Sequence, residues 1–423
     1  MRRILFLTDS WTPQPTANAI CIKNIASVLI QRGWNVYVNA FEEKRGQKKE
    51  VVDGIQIEYT RPTLSRQWIT RAMLMSDSRQ KNVIGNAGIL LNRITRFLCL
   101  PFYPVVAPIF SKRWSKKVIQ QINENEIDFV VSVNAPLDSV AAGYFVKKKC
   151  AKVKWIAYYI DGGSNYGKEQ NFLTIKRKLQ KKSVRWENKV LSIADKIVIM
   201  EGHSEFYKKV LNPSNRARLK ILNVPLFHTQ QMPKSDHQRN KSNKEIWTYA
   251  GTIRDEFCNP AALFSWFFQY SENHDAELHL YGSTNMDVFL RSHCDNKHIY
   301  YHGLASHEHV KQVLADSDVL LYFRSEKLDS VSGKFFEYLI YHKPIVYFGP
   351  KGDINWRQLE KYPLGAAIDE KTWEQTNSFD EIFHNEDVVS DDMLKTIFYT
   401  STPSAFADMI ENIEKRGENA ENN

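Results

Sequence analysis

Short apolar runs alternate along the chain with stretches whose apolar residues recur at helical spacing. Ile4–Leu7 is an uninterrupted apolar run, read as a buried strand. A loop containing Pro13 and Pro15 follows. Ile20, Ile25, Val28 and Leu29 then lie on one helical face, with Gly33 as the stop signal. Strand character returns at Asn35–Val38. Strand, loop, helix, glycine, strand is a βαβ unit, and it predicts a parallel sheet. Further strands are expected at Ile127–Ser132, Val153–Tyr159 and Ala194–Met200, with a helix opening near Ala135–Ser139 and a basic one over Lys176–Lys189.

After Asn223–Phe227 comes a polar stretch, His228–Lys244, rich in Gln, Asn, Ser and Lys, which marks a domain boundary. The pattern then restarts. Ile246–Gly251, Glu277–Gly282 and Ile299–Gly303 read as strands that end in glycine, where a ligand or a helix can approach the backbone closely. Asp318–Phe323 and Ile345–Phe348 are two more. From Ala405, Phe406, Met409, Ile410 and Ile413 return to helical spacing. The fold class is α/β, divided as a domain over 1–227, a linker over 228–244, a domain over 245–390 and C-terminal helices over 391–423.

Residues 61–118 are basic and poorly periodic. Within them Phe97–Phe110 is the most apolar stretch, but it is shorter than the about 20 residues a spanning helix needs and is broken by Pro101, Pro104 and Pro108. Two readings stand side by side. One is an interfacial contact with an anionic membrane through Phe102, Phe110, Arg113, Lys116 and Lys117. The other is a loop buried in the domain core with a solvated basic helix after it. Charge bears on the choice: residues 1–220 carry 38 Lys and Arg against 17 Asp and Glu, while the remainder carries 19 against 31, within a net charge of +9. A basic first half implies an anionic partner. Neither an aromatic-interleaved strand motif nor a recognition helix is present, so nucleic acid is not indicated. The N-terminal residues enter a strand directly, and no signal peptide is expected. Five scattered cysteines suggest neither a disulfide framework nor a zinc site, which fits a reducing cytoplasm.

The chemistry concentrates in Asp329–Leu339. A buried strand leads into a loop with Gly333 at its tightest point, and Phe335, Phe336, Leu339 and Ile340 then recur at helical spacing until Pro344. An anion would sit at the start of that helix, and Glu337, one turn in, could accept two hydrogen bonds from a sugar diol. The stretch resembles the nucleotide-sugar site of retaining GT-B glycosyltransferases. Many of these carry Glu-x7-Glu, and a subset carries Ser-x-Lys-x-x-Glu-Tyr-Leu followed by Gly-Lys-Pro. Here Ser332, Lys334, Glu337, Tyr338, Leu339, Lys343 and Pro344 match; Asp329 stands for the first acid and His342 for the usual Gly.

The resemblance implies two facing doubly wound Rossmann-like sheets with the active site in the cleft, and last helices that return to the first domain. It gives Glu337 the ribose hydroxyls and Asp329 the transferred sugar. Ser332, Gly333, Gly251, Gly282 and Gly303 would line the donor. Arg254, just past Gly251, fits the cation that clamps the diphosphate; the usual second cation a few residues on is missing, so Lys334 or Lys327 would supply it. In the first loop the family often has Gly-Gly, where this chain has Pro15-Thr16-Ala17-Asn18, leaving Ala17 and Asn18 as the small residues beside the donor phosphates. Asp161, at the end of a strand, points into the crevice or is a turn former with Gly162.

No Walker A, Gly-x-Gly-x-x-Gly, His-Glu-x-x-His or metal-type Asp-x-Asp motif occurs, and His307-Glu308-His309 does not have metal-ligand spacing. These absences argue for metal-independent, cofactor-free transfer, and the family resemblance together with the basic first half implies transfer from a UDP- or GDP-sugar to a lipid-linked saccharide, in bacterial surface polysaccharide synthesis (capsule, O-antigen or exopolysaccharide), by a peripheral protein at the cytoplasmic face of the membrane. The alternatives are a nonhydrolysing nucleotide-sugar epimerase on the same fold and an inactive donor-binding or membrane scaffold.

Overall fold

The computed structural model describes residues 2–11, 16–75, 78–134, 136–160, 162, 174–227, 244–255, 259–294, 297–324, 331–373 and 389–421. It divides into two compact units, Met1–Pro225 with Pro403–Asn423, and Leu226–Thr402.

The first unit is built on eight strands: β1 (Arg3–Leu7), β2 (Asn35–Phe41), β3 (Glu50–Val52), β4 (Ile55–Thr60), β5 (Phe129–Val133), β6 (Lys154–Tyr159), β7 (Lys196–Met200) and β8 (Leu219–Leu222). Their order is β3-β4-β2-β1-β5-β6-β7-β8. All neighbours are parallel except β3 and β4, a hairpin whose Asp53-Gly54 turn has positive φ at both residues, the twist a two-residue hairpin needs. The central strands are apolar on both faces because helices cover both. Ile4–Leu7 lie in register with Phe129–Ser132 on one side and with Val36–Asn39 on the other.

The first helix, Ala17–Gln31, begins where the Thr16 hydroxyl accepts the Ala19 N–H, and the chain leaves it through Gly33 at φ +82°. Ile22, Ile25, Ala26 and Leu29 form its buried stripe, whereas Ile20, expected on that stripe, is 43% exposed. The last helix, Pro403–Glu421, belongs to this unit: Phe406 packs against Phe6 and Tyr158, and Arg32 pairs with Asp408 at 2.5 Å and Glu411 at 3.2 Å. The helix Asp391–Ile397 belongs to the second unit.

Residues 61–118, unreadable as elements from periodicity, form the helices Leu64–Met73, Ser78–Leu98 and Pro108–Asn125, with a 3-10 turn at Leu100–Phe102. The first two keep several large apolar side chains in water, including Leu64, Met73, Val83, Leu90, Phe97 and Leu98, so no single buried stripe governs their sequence.

The second unit carries β9 (Glu245–Ala250), β10 (Ala276–Tyr281), β11 (Ile299–Gly303), β12 (Val319–Phe323), β13 (Ile345–Gly349) and β14 (Gly365–Asp369), all parallel, in the order β11-β10-β9-β12-β13-β14. Trp247 is its buried centre, packed edge-on against Trp266, Phe267 and Tyr270 of the helix Pro260–Asn273. Among the described residues, no helix is long and apolar enough to cross a membrane.

Candidate functional site

In each sheet the chain adds strands first on one side and then on the other, the change falling between β1 and β5 in the first unit and between β9 and β12 in the second. Open α/β sheets bind ligands outside the carboxyl ends of their strands at such a switch point.

In the second unit this end is made largely of main chain. The Gly251 N–H donates to the Tyr281 carbonyl at 2.8 Å, and the Gly282 N–H to the Gly303 carbonyl at 2.7 Å. The three glycines thus stand side by side where β9, β10 and β11 stop. Gly282 has φ +142°, and a Cβ there would sit 1.8 Å from the Gly251 carbonyl oxygen, so no other residue fits without displacing the backbone. Arg254 follows on an exposed loop. That loop is fixed one residue later, where the Asn285 amide donates to the Asp255 carboxylate at 2.7 Å.

On the other side of the switch point, β12 leads into the helix Gly333–Tyr338. Phe335 and Phe336 are buried beneath it, leaving Lys334 and Glu337 on its outer side. The Lys334 ammonium donates to Glu337 Oε2 at 2.7 Å; both side chains are partly exposed, so a ligand can compete for either. Tyr338 is fully buried, and its hydroxyl accepts the Ala250 N–H at 3.0 Å, tying this helix to the end of β9. Burial holds the Tyr338 phenol well above the usual tyrosine range, so it stays protonated.

Asn355 does similar work at the front of the helix. Its Oδ1 accepts the Ser332 N–H at 2.7 Å, and its amide donates to Asp353 at 3.2 Å. Asp353 also caps the helix Ile354–Leu359 and accepts the Tyr347 hydroxyl at 2.7 Å. Sequence reading passed over Asp353 and Asn355, which next to Gly352 look like ordinary turn residues; the N-cap position of Asp353 was the available signal.

The predicted residues therefore fall into groups. Gly251, Gly282 and Gly303 come together, as do Ser332, Gly333, Lys334 and Glu337. Asp329 and Lys327, like Asp161, lie outside the described residues. Ala17 and Asn18 open the first helix of the first unit, Ala17 exposed and Asn18 buried.

Other groups at the carboxyl end of the first sheet were not anticipated. Asp9, just after β1, is buried. Its carboxylate accepts the Thr16 hydroxyl at 2.7 Å and lies 3.6 Å from Arg66, yet burial still raises its pKa. Asp138 accepts the Ser111 hydroxyl at 2.8 Å and the Ala107 N–H at 3.2 Å, and burial raises its pKa as well. His203, in the turn after β7, is buried, and desolvation lowers its pKa to about 4.

The proposed membrane residues divide in two. Arg113, Lys116 and Phe102 are exposed. Phe110 is a core residue, packed against Phe41 and Trp114, because the helix Pro108–Asn125 turns that side inward. Lys117 is half-buried with its ammonium on the Tyr59 carbonyl, and Arg113 donates to the Arg61 carbonyl at 2.6 Å. Phe110 thus follows the buried-core reading of its stretch, and Phe102 follows the surface one.

With two parallel-sheet units of this topology, the chain has the GT-B fold. It is similar to sucrose-phosphate synthase from Thermosynechococcus elongatus (TM-score 0.63, 11% identity, covering 99% of this chain and 100% of that one). It is also similar to the catalytic domain of starch synthase IV from Arabidopsis thaliana bound to ADP and acarbose (0.60, 7%, 98% and 99%), and to the lipopolysaccharide outer core galactosyltransferase WaaB in its apo form (0.55, 13%, 98% and 99%). No family model and no curated sequence matches the chain.

Proposed function

We propose that the protein is a glycosyltransferase that moves a sugar from a nucleoside diphosphate sugar to a saccharide acceptor. The observation that carries this reading is the switch point of the second sheet. Three adjacent glycine strand ends, the Arg254 loop and the Lys334–Glu337 pair gather there, and the helix that carries the pair is fixed by the buried Tyr338 and Asn355 hydrogen bonds. The fold is shared with transferases of the same kind, one of them bound to ADP and acarbose.

In this reading Glu337 accepts the ribose hydroxyls, and Lys334 turns from Glu337 toward the diphosphate. The bond between the anomeric carbon and the diphosphate oxygen breaks as an acceptor oxygen bonds to that carbon. The acceptor proton leaves with the departing phosphate. Negative charge grows on the diphosphate during this step, and Arg254 and Lys334 offset it without a metal ion. Transfer retains the anomeric configuration, with the role of facing the transferred sugar given to Asp329 by the family resemblance and Asp161 kept as a candidate catalytic acid. The donor is a UDP- or GDP-sugar and the acceptor is lipid-linked, in surface polysaccharide synthesis at the inner face of an anionic membrane. The cationic surplus of the first half and its exposed apolar helices support that setting.

Replacing Arg254 with Ala is expected to lower turnover at saturating donor by roughly 10²-fold, because the interaction grows in the transition state. Release of nucleoside diphosphate reports it. Wild-type turnover in that variant would remove Arg254 from the mechanism.

A further inference from the structure

A groove of about 580 Å³ lies in the first unit, between the starts of the helices Leu64–Met73 and Pro108–Asn125 and the turn that follows Ser78–Leu98. The volume falls within the ~300–1,000 Å³ of small-molecule sites. Its apolar wall is formed by Leu64, Cys99, Phe102, Ala107, Pro108 and Ile109. Three of these are large side chains left in water, Leu64 at 52%, Phe102 at 58% and Ile109 at 85% exposure. Exposed apolar groups gathered around a concavity mark a binding surface rather than a folding requirement.

The rim is cationic: Arg61, Lys112 and Arg113 line it, and among the described residues no carboxylate does. Arg113 braces the rim through its hydrogen bond to the Arg61 carbonyl. Arg61 and Lys112 are exposed. An apolar trough under a cationic rim complements a molecule with one hydrocarbon chain and an anionic head. A free sugar phosphate would leave the trough unused, and a neutral lipid would leave the rim unused.

We propose that this groove takes the hydrocarbon chain of a membrane lipid phosphate, with the phosphate at Arg61 and Lys112. The proposal rests on the reading of the acceptor as lipid-linked, and it assigns the lipid part of that acceptor a seat on the protein.

Cys99 on the groove wall supplies the test, with Cys150 as the internal reference. Both thiols are partly exposed. The full chain is treated with iodoacetamide, and labelling of each cysteine is followed by peptide mass spectrometry, with dodecyl phosphate added below its micellar concentration. At about ten times Kd, roughly a tenth of the molecules remain open, so Cys99 labelling should slow about tenfold while Cys150 is unchanged. Inorganic phosphate should give no protection, and dodecyl maltoside much less than the phosphate. In an Ile109→Glu variant with an unchanged thermal midpoint the protection should vanish, since Ile109 is exposed and its loss leaves the core intact. Absence of Cys99 protection by dodecyl phosphate, or equal protection by the neutral detergent, would overturn the proposal.

Co-sedimentation with phosphatidylglycerol and phosphatidylcholine vesicles separates this from the membrane reading. Anionic vesicle binding without Cys99 protection overturns the groove alone. Cys99 protection without vesicle binding supports the groove and overturns the surface contact.

Discussion

The two sheets end differently. At the switch point of the second sheet the chain offers backbone: glycines that hydrogen-bond to neighbouring strand ends, and a helix whose start is held by Asn355 and whose last residue, Tyr338, is tied to the end of β9. At the carboxyl end of the first sheet it offers buried side chains, Asp9, Asp138 and His203, each desolvated enough to shift its pKa toward the neutral form. A main-chain surface can lie close against a large anionic ligand with little reorganisation. Buried titratable side chains instead make the first unit sensitive to pH.

Substitutions break this contrast at defined points. The largest effect is expected from Gly282→Ala, which forces a Cβ onto the Gly251 carbonyl at a φ that L residues avoid. The cost should be on the order of 3–4 kcal/mol in chemical denaturation, with loss of nucleotide binding. Gly303→Ala, at φ +73° with nothing within 4 Å of its Cβ, should cost about 1–2 kcal/mol. Equal costs would mean that close approach between strand ends is not what Gly282 provides.

The pH dependence sharpens the other side. His203 has a folded pKa of about 4 against an unfolded value near 6.5. Above pH 6.5 it is neutral in both states. Between 6.5 and 4 the unfolded chain takes up a proton that the folded one does not, so stability falls as pH falls. The full loss is on the order of 3 kcal/mol, set by ~1.4 kcal/mol per pKa unit. Urea midpoints measured across that window should slope downward in the wild type and flatten in His203→Gln. An unchanged slope would place the sensitivity elsewhere. A smaller effect, about 1–3 kcal/mol, is expected for Tyr338→Phe, which leaves the buried Ala250 N–H without its acceptor. Thermal unfolding checks it, and a neutral result would show that the helix is held by packing alone.

The same contrast explains what could be read from the sequence. The strands of both units stand out as apolar runs because helices cover both faces of each sheet. The glycine ends and the Ser332–Leu339 stretch were legible because backbone function leaves a trace in residue type. Asp9, Asp138 and His203 were not, because Asp is ordinarily solvated, His is found both inside and outside, and only the fold reveals their burial. Asn355 was hidden for a related reason: its job is to hold a backbone N–H more than twenty positions away. Phe97–Phe110 resisted reading because it is divided, with Phe110 in the core and Phe102 in water. An apolar residue looks the same in either place.

Calorimetric titration of the purified protein with UDP and GDP, alongside UMP and GMP, tests the central claim most directly when repeated on Glu337→Ala. The account predicts that a nucleoside diphosphate binds more tightly than its monophosphate. It also predicts that Glu337→Ala weakens the diphosphate by about 1–3 kcal/mol, the loss expected for charge-assisted hydrogen bonds to the ribose. No binding of any nucleoside diphosphate, or identical affinity in the variant, would contradict a donor seated on the glycine strand ends and the Lys334–Glu337 helix.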